Sequence, residues 1–272
     1  METVPWLPGE VPRWAFMWAI AVAMFAILKW LSFRWAKGTE ASSPRKAAYL
    51  FLWPGMDADA FLRGVAKKAP TASEWTAAAL KTALGIGLLL ASRAFDPPMV
   101  RGWIAMVGII FLLHFGSFHL LSCFWRSRGI NAVPLMNRPM AATSVSAFWG
   151  KHWNIAFRDL THRMVFKPVL RRWGSAAALM SGFLFSGVIH ELAITVPAGG
   201  GYGGPMIFFT LQGLAALAER TKPGKRLGLG KGARGWTFTQ GLLLLTVALL
   251  FPPPFVLRII NPFFDYLHEL AF

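Results

Sequence analysis

The stretch from residue 176 to residue 194, AAALMSGFLFSGVIHELAI, decides how this chain folds, because it is long and apolar enough to cross a lipid bilayer as a helix. A histidine, His190, lies inside this apolar stretch. Placing an ionisable side chain at membrane depth costs free energy, so such a residue usually marks a proton relay, an ion path or a reaction centre. His190 is therefore the first candidate functional residue.

The composition of the whole chain is that of a polytopic membrane protein. Of the 272 residues, 55% are hydrophobic and 15% are charged, whereas about a quarter of the residues of a soluble domain are charged. Six stretches are long enough to cross a bilayer, and two shorter apolar pieces are expected to be interfacial, re-entrant or half-spanning. The six lie near residues 14–33, 75–95, 103–125, 173–196, 205–218 and 236–251, and the two shorter pieces near 47–53 and 255–267. We therefore expect an all-α helical bundle of about six to eight transmembrane or re-entrant segments, in a single integral membrane domain over residues 1–272.

The formal net charge of +16 is explained by membrane topology rather than by a nucleic-acid partner. Lysine and arginine cluster in alternate connections, above all in the loop 126–172, and such an excess is typical of cytosolic loops. This pattern predicts an outside N-terminus, basic loops in the cytosol and contact with membrane lipid. The abundance of Ala, Gly, Arg and Trp hints at a bacterial source, for which the membrane would be the inner (cytoplasmic) membrane.

The basic loop contains a candidate amphipathic helix over residues 155–167. Four charged side chains recur along one side of it: Asp159, Arg163, Lys167 and Arg171. Such a helix next to a span is typical of one that lies on the membrane surface, and Pro168 is expected to end or kink it. The charged row is either a solvated face that touches anionic lipid or a phosphate-binding surface for an anionic cosubstrate.

Small residues recur every four positions before His190, at Ser186, Gly182 and Ala178. Such a seam is typical of close helix packing, but it could instead leave room for a substrate chain. His190 itself has a structural alternative, in which its ring is bonded to a backbone carbonyl or to Ser186.

Metal binding is not expected from the histidines and the cysteine of this chain. The zinc motif HExxH is incomplete, because position 194 is isoleucine. His114 and His119 are five residues apart and so miss the spacing that shares a helix face. Because Cys123 is the single cysteine, the chain can form neither an intramolecular disulfide nor a zinc site built from cysteines.

Two motifs, in this order, resemble the membrane-bound O-acyltransferase superfamily, and most closely its wax-synthase-like branch. Residues 144–154 read SVSAFWGKHWN and fit the pattern Ser-x-x-x-Phe-Trp-x-x-x-Trp-Asn. Residues 186–191 read SGVIHE and fit Ser-Gly-x-x-His-Glu. The plant-type motif commonly has two arginines where this chain has Lys151 and His152, a difference that bears on acyl-chain and acceptor preference.

The resemblance implies a helical fold around a buried catalytic tunnel and transfer of an acyl group from acyl-CoA to the hydroxyl of a hydrophobic alcohol. The product would be a wax ester, a sterol ester or a similar compound, with acyl-CoA as cosubstrate and no cofactor. His190 and Asn154 match the family's catalytic pair. His190 would be the general base, since a neutral imidazole can take the proton of an alcohol. Asn154 would orient the acceptor or donate to the oxyanion, and its alternative role is to cap the helix that follows it.

Seven further residues are candidates for substrate binding. Three of them are cations that would meet the phosphates of coenzyme A from the cytosol, and the two tryptophans have an alternative role as interfacial anchors. The seven are Trp149, Trp153, Lys151, Arg158, Arg163, Ser186 and Gly182.

Two other functions are compatible with a histidine inside a span. The first is a proton-coupled transporter or channel in which His190 is the relay. The second is a small membrane scaffold, for which replacement of His190 would change no activity. The acyl length, the acceptor and the oligomeric state are left open by the sequence.

Overall fold

The computed structural model describes residues 3–5, 10–36 and 40–271, and most of these residues lie in helices. Within these described residues, five helices are long and apolar enough to cross a membrane. They are Arg13–Arg34 (α1), Ala72–Ala94 (α2), Pro98–Ser127 (α3), Ile155–Ala198 and Gly232–Leu250. The predicted all-α polytopic membrane architecture is confirmed, and the protein is an integral membrane protein.

The run Ile155–Ala198 consists of two helices that meet at Gly174. Gly174 has φ 78° and ψ 179°, a backbone conformation that favours glycine, and it separates α4 (155–173) from α5 (175–198). The amphipathic helix does not end at Pro168, and a kink there stays a prediction. A π-helical turn, His162–Phe166, precedes Lys167 and this proline and shifts the hydrogen-bond register, so the helix continues to Gly174. Three charged side chains of the predicted row are exposed: Arg163, Lys167 and Arg171.

The two shorter apolar pieces form short helices. The first lies in the helix Ser43–Leu52, and the second lies in consecutive helical turns over residues 253–271. The first piece is fastened to α1 by Lys29, whose Nζ donates to the carbonyl oxygens of Trp53 at 2.7 Å and Gly55 at 2.5 Å. These two bonds satisfy an ammonium group that is only 2% exposed.

The helix Gly204–Ala218 (α6) lies in the interior of the bundle, between α5 and Gly232–Leu250 (α7). The sequence predicts it as a full span, but its 15 residues extend only about 22 Å at 1.5 Å per residue. A hydrocarbon core is about 30 Å thick. Its buried side chains include Phe208, Phe209 and Gln212, so α6 packs against protein on several sides.

Gly187 allows α5 and α6 to approach closely, and its replacement by alanine should destabilise the protein by about 1–3 kcal/mol. A Cβ atom at Gly187 would lie 2.8 Å from Sδ and 3.2 Å from Cα of Met206. Gly182→Ala, on the same helix, is the matched control, because its Cβ would lie 3.5 Å from Cγ2 of Thr161. Thermal unfolding of both variants in one detergent measures the difference, and equal midpoints would contradict the close approach.

Candidate active site

His190 lies on α5 and faces the interior helix α6. Its ring centroid is 4.6 Å from that of Phe209, and its Nδ1 lies 2.7 Å from the carbonyl oxygen of Ser186. Because a carbonyl oxygen only accepts, we assign the proton of the neutral ring to Nδ1, which leaves the lone pair of Nε2 available. The structural alternative for His190 is therefore present, and the same bond leaves Nε2 competent as a base.

Glu191, the residue after His190, fastens α5 to the start of α6. Its Oε1 accepts the backbone N–H of Met206 at 3.2 Å, and its other oxygen accepts from the hydroxyl of Thr195. A carboxylate at the N-terminus of α6 also interacts favourably with the helix dipole. The sequence shows the His-Glu pair but not this contact, because Met206 follows only after the glycine-rich turn 199–204.

The aromatic block comprises residues 144–154. It folds as a short helix, Val145–Ala147, and a π-helical turn, Phe148–His152. Trp149 in this block packs against Phe209 of α6, the same ring that contacts His190. The ring centroids of Trp149 and Phe209 are 5.3 Å apart, and Nε1 of Trp149 donates to Oε1 of Gln212 at 3.4 Å. Phe209 therefore joins the aromatic block to the histidine.

Trp153 packs on the other side of the aromatic block. Its ring stacks on Phe148, with centroids 5.6 Å apart, and on His114, with centroids 6.5 Å apart. Both Trp149 and Trp153 thus contact rings of the bundle and are partly buried, and their alternative role as interfacial anchors stays a prediction.

Asn154 ends the aromatic block and begins α4. It has left-handed backbone angles, φ 40° and ψ 63°, which asparagine tolerates better than most residues. Its Oδ1 accepts the backbone N–H of Phe157 at 3.2 Å. The alternative role as a helix cap is therefore present, and it uses only the oxygen of the amide, so the NH₂ group can serve a different partner.

The start of α4 packs on α5 through two pairs of residues. Phe157 stacks on Phe185, with ring centroids 6.1 Å apart, and Thr161 lies beside Gly182. The later residue of α4 pairs with the earlier residue of α5, so the two helices are antiparallel here. Continued toward the start of α4, this register predicts that Asn154 lies near the level of His190 along the bundle axis.

Two of the three predicted phosphate-binding cations bind backbone carbonyls. Arg158 donates to the carbonyl oxygen of Gly150 at 2.7 Å and pairs with Asp159, and Arg163 donates to that of Trp35 at 2.5 Å. Lys151 and Arg163 are exposed, and Arg158 is partly buried. Binding of coenzyme A phosphates by these three cations stays a prediction.

The two small residues predicted to bind substrate differ in their packing. The hydroxyl of Ser186 donates to the carbonyl oxygen of Gly182 at 3.0 Å, so it is engaged within α5. A Cβ atom added at Gly182 would make only an ordinary van der Waals contact, at 3.5 Å from Thr161. A Cβ atom at Gly187 would lie much closer to its neighbour, at 2.8 Å from Sδ of Met206. Room for a substrate chain beside Gly182 stays a prediction.

A cavity of about 1040 Å³ lies beside the aromatic block. It is lined by His114 and Phe115, which contact Trp153, and by Ile155, which follows Asn154. His190 is not among its lining residues. A continuous tunnel to His190 therefore stays a prediction.

Three potential metal ligands converge where α2 and α3 meet. The ligand atoms of Glu74, His119 and Cys123 lie within 4.8 Å of one another. Arg126 donates to Oε1 of Glu74 at 2.7 Å and contacts Sγ of Cys123 at 3.5 Å, so a cationic side chain is already bound to two of these atoms. The sequence-based reasoning missed this group because it compared the histidines only with each other. The expectation of no metal stays a prediction.

The fold and the site define a polytopic helical membrane protein with a histidine on a membrane-spanning helix, packed against an interior helix. Residues 132–211, which contain the aromatic block and His190, match the model of the membrane bound O-acyl transferase family. This segment is therefore similar to that family, and the predicted resemblance is confirmed.

Curated proteins named as acyltransferases of long-chain alcohols and of sterols are similar to part of this chain. A long-chain-alcohol O-fatty-acyltransferase of Simmondsia chinensis is 29% identical over 144 residues, covering 47% of this chain and 40% of the relative. The probable long-chain-alcohol O-fatty-acyltransferase 9 of Arabidopsis thaliana is 27% identical over 141 residues, covering 47% and 41%. The acyl-CoA–sterol O-acyltransferase 1 of Arabidopsis thaliana is 32% identical over 66 residues, covering 22% and 19%. The matched part thus spans less than half the length of these relatives.

Proposed function

We propose that this protein is an O-acyltransferase that moves an acyl group from acyl-CoA to the hydroxyl of a hydrophobic alcohol. The observation that carries the proposal is the state of His190: its Nδ1 is bound to a carbonyl at 2.7 Å, which leaves the lone pair of Nε2 available to act as a base. The names of the relatives support the substrate class, since they specify long-chain alcohols and a sterol as acceptors.

The proposed reaction needs only the side chains of the site and the two substrates. Nε2 of His190 takes the hydroxyl proton while the alcohol oxygen attacks the thioester carbonyl carbon. The NH₂ group of Asn154 donates to the oxygen that becomes negative. When the carbon–sulfur bond breaks, the imidazolium returns its proton to the coenzyme A thiolate. The base ends neutral, so the cycle closes without a cofactor.

The cavity beside the aromatic block supports this proposal by offering space for a substrate chain. Phe111, Phe115 and Leu135 give it an apolar lining, and Lys81 and Arg138 add two positive charges beside the carboxylate of Glu74, which pairs with Arg126. An apolar cavity with a few cationic groups suits an amphiphile with an anionic head. We further propose that the basic loops face the cytosol, in the inner membrane if the source is bacterial, so that water-soluble acyl-CoA reaches the site from that side.

Lys151→Ala should raise the KM for acyl-CoA about three- to tenfold and leave kcat within about twofold, the effect of losing one exposed charge-assisted hydrogen bond. Lys151 is exposed on the aromatic block, where it can meet a phosphate. Arg163→Ala is the control, because Arg163 binds the carbonyl oxygen of Trp35, and it should lower the melting temperature with little change in KM. Initial rates against acyl-CoA concentration test this, and an unchanged KM for the Lys151 variant would remove it from donor binding.

The proposed function is tested by the release of coenzyme A thiol from the detergent-purified protein. Several acyl-CoA chain lengths are combined with long-chain alcohols and sterols, and each reaction is compared with one that lacks the acceptor. Acceptor-dependent release together with the matching ester would establish acyl transfer. The transporter alternative predicts gradient-dependent flux in vesicles and no thiol release.

A further inference from the structure

Glu219 is a buried carboxylate directly after α6. It is 7% exposed, and its two oxygens accept backbone N–H groups from the start of the aromatic block. Oε1 accepts from Val145 at 2.5 Å and Oε2 from Ser146 at 3.2 Å. The carboxylate thus joins two segments more than 70 residues apart in the chain.

The start of the aromatic block depends on acceptors from outside its own helix. The first N–H groups of any helix have no partner within it, and a helix as short as Val145–Ala147 is too short to be stable alone. The hydroxyl of Ser144 accepts the N–H of Ala147 at 2.9 Å. Glu219 supplies the acceptors for the other two residues, so its carboxylate determines where the block begins.

Helix α6 and its end contact both halves of the candidate site. Glu219 binds the start of the aromatic block, and Gln212 accepts from Trp149 near its middle. Phe209, on the same helix, contacts the ring of His190. The separation between the block and the histidine is therefore fixed through α6, and the carboxylate of Glu219 is its hydrogen-bond acceptor for the start of the block.

We propose that Glu219 is a positioning residue for acyl transfer: its carboxylate fixes the aromatic block on α6 and thereby sets the place of Asn154 relative to His190. This inference rests on the proposed function. A shift of about 1 Å in a catalytic group can lower a rate on the order of 100-fold. Loss of either carboxylate oxygen as an acceptor should therefore lower kcat rather than substrate affinity.

The test compares Glu219→Gln with Glu219→Asp. Glutamine keeps the size of the side chain but replaces one acceptor oxygen by an NH₂ donor, which would face a backbone N–H. Aspartate keeps both acceptors on a shorter chain. We expect kcat to fall about 10- to 100-fold in the glutamine variant and less in the aspartate variant, with the KM for acyl-CoA changed less than about threefold in both. Asp265→Asn is the control, because that carboxylate pairs with Arg101 and has no contact with the site.

Rates are expressed per mole of monodisperse protein, and the midpoint of thermal unfolding is measured in parallel for each variant. A glutamine variant at least as active as the aspartate variant would show that side-chain volume matters and would overturn the inference, as would an unchanged kcat in both. If the glutamine variant does not fold, the aspartate variant decides: a lower kcat at unchanged KM supports the inference, and an unchanged kcat overturns it. A wild type without activity on any substrate pair would overturn the proposed function and this inference together.

Discussion

His190→Ala is expected to lower kcat for acyl transfer by about 10²- to 10⁴-fold, the usual contribution of a positioned general base. The change removes Nε2, the group that would take the hydroxyl proton, together with the bond from Nδ1 to Ser186. Thermal unfolding shows whether the loss of the contact with Phe209 also affects the fold. Acceptor-dependent release of coenzyme A thiol is the measurement.

His162→Ala is the matched control for the histidine replacement. His162 is exposed on α4 and stacks on Phe166, so its loss should leave kcat within about twofold, as is usual for surface changes away from a site. Equal rates for wild type and the His190 variant would remove His190 from the chemistry. Gradient-dependent flux that is lost in the variant, without thiol release, would instead identify His190 as a proton relay.

The membrane-spanning architecture could be predicted from the sequence because a lipid bilayer imposes length and hydropathy on every helix that crosses it. The apolar stretches predicted near residues 14–33, 75–95 and 103–125 correspond to α1, α2 and α3. Hydropathy could not show that α6 is an interior helix, because protein-facing and lipid-facing helices are equally apolar. Its contacts with α5 and α7 are a property of the tertiary packing.

The candidate catalytic pair could be predicted from two sequence motifs, but its supports could not. Glu191 and Glu219 accept N–H groups from residues that only the tertiary fold brings to them. Arg158 and Arg163 each bind a backbone carbonyl, and such contacts have no signature in the sequence.

Asn154→Asp is expected to lower kcat about 10²- to 10³-fold at nearly unchanged stability, the range seen when one oxyanion donor is removed. Aspartate is as good a helix cap as asparagine, so it can still accept the N–H of Phe157, which lies 3.2 Å from Oδ1 in the wild type. It cannot donate from the place of the NH₂ group, and its charge repels the developing oxyanion. The measurement is kcat together with the thermal midpoint.

Asn154→Ala separates the two roles of this amide, because it removes both the cap and the donor. It should lose the same factor in kcat and also about 0.5–2 kcal/mol of stability, the usual value of an N-cap. An active aspartate variant beside a destabilised alanine variant would mean that Asn154 only begins α4. Loss of activity in both, with only alanine destabilised, would assign the catalytic role to the NH₂ group, because the carbonyl oxygen is already used by the helix.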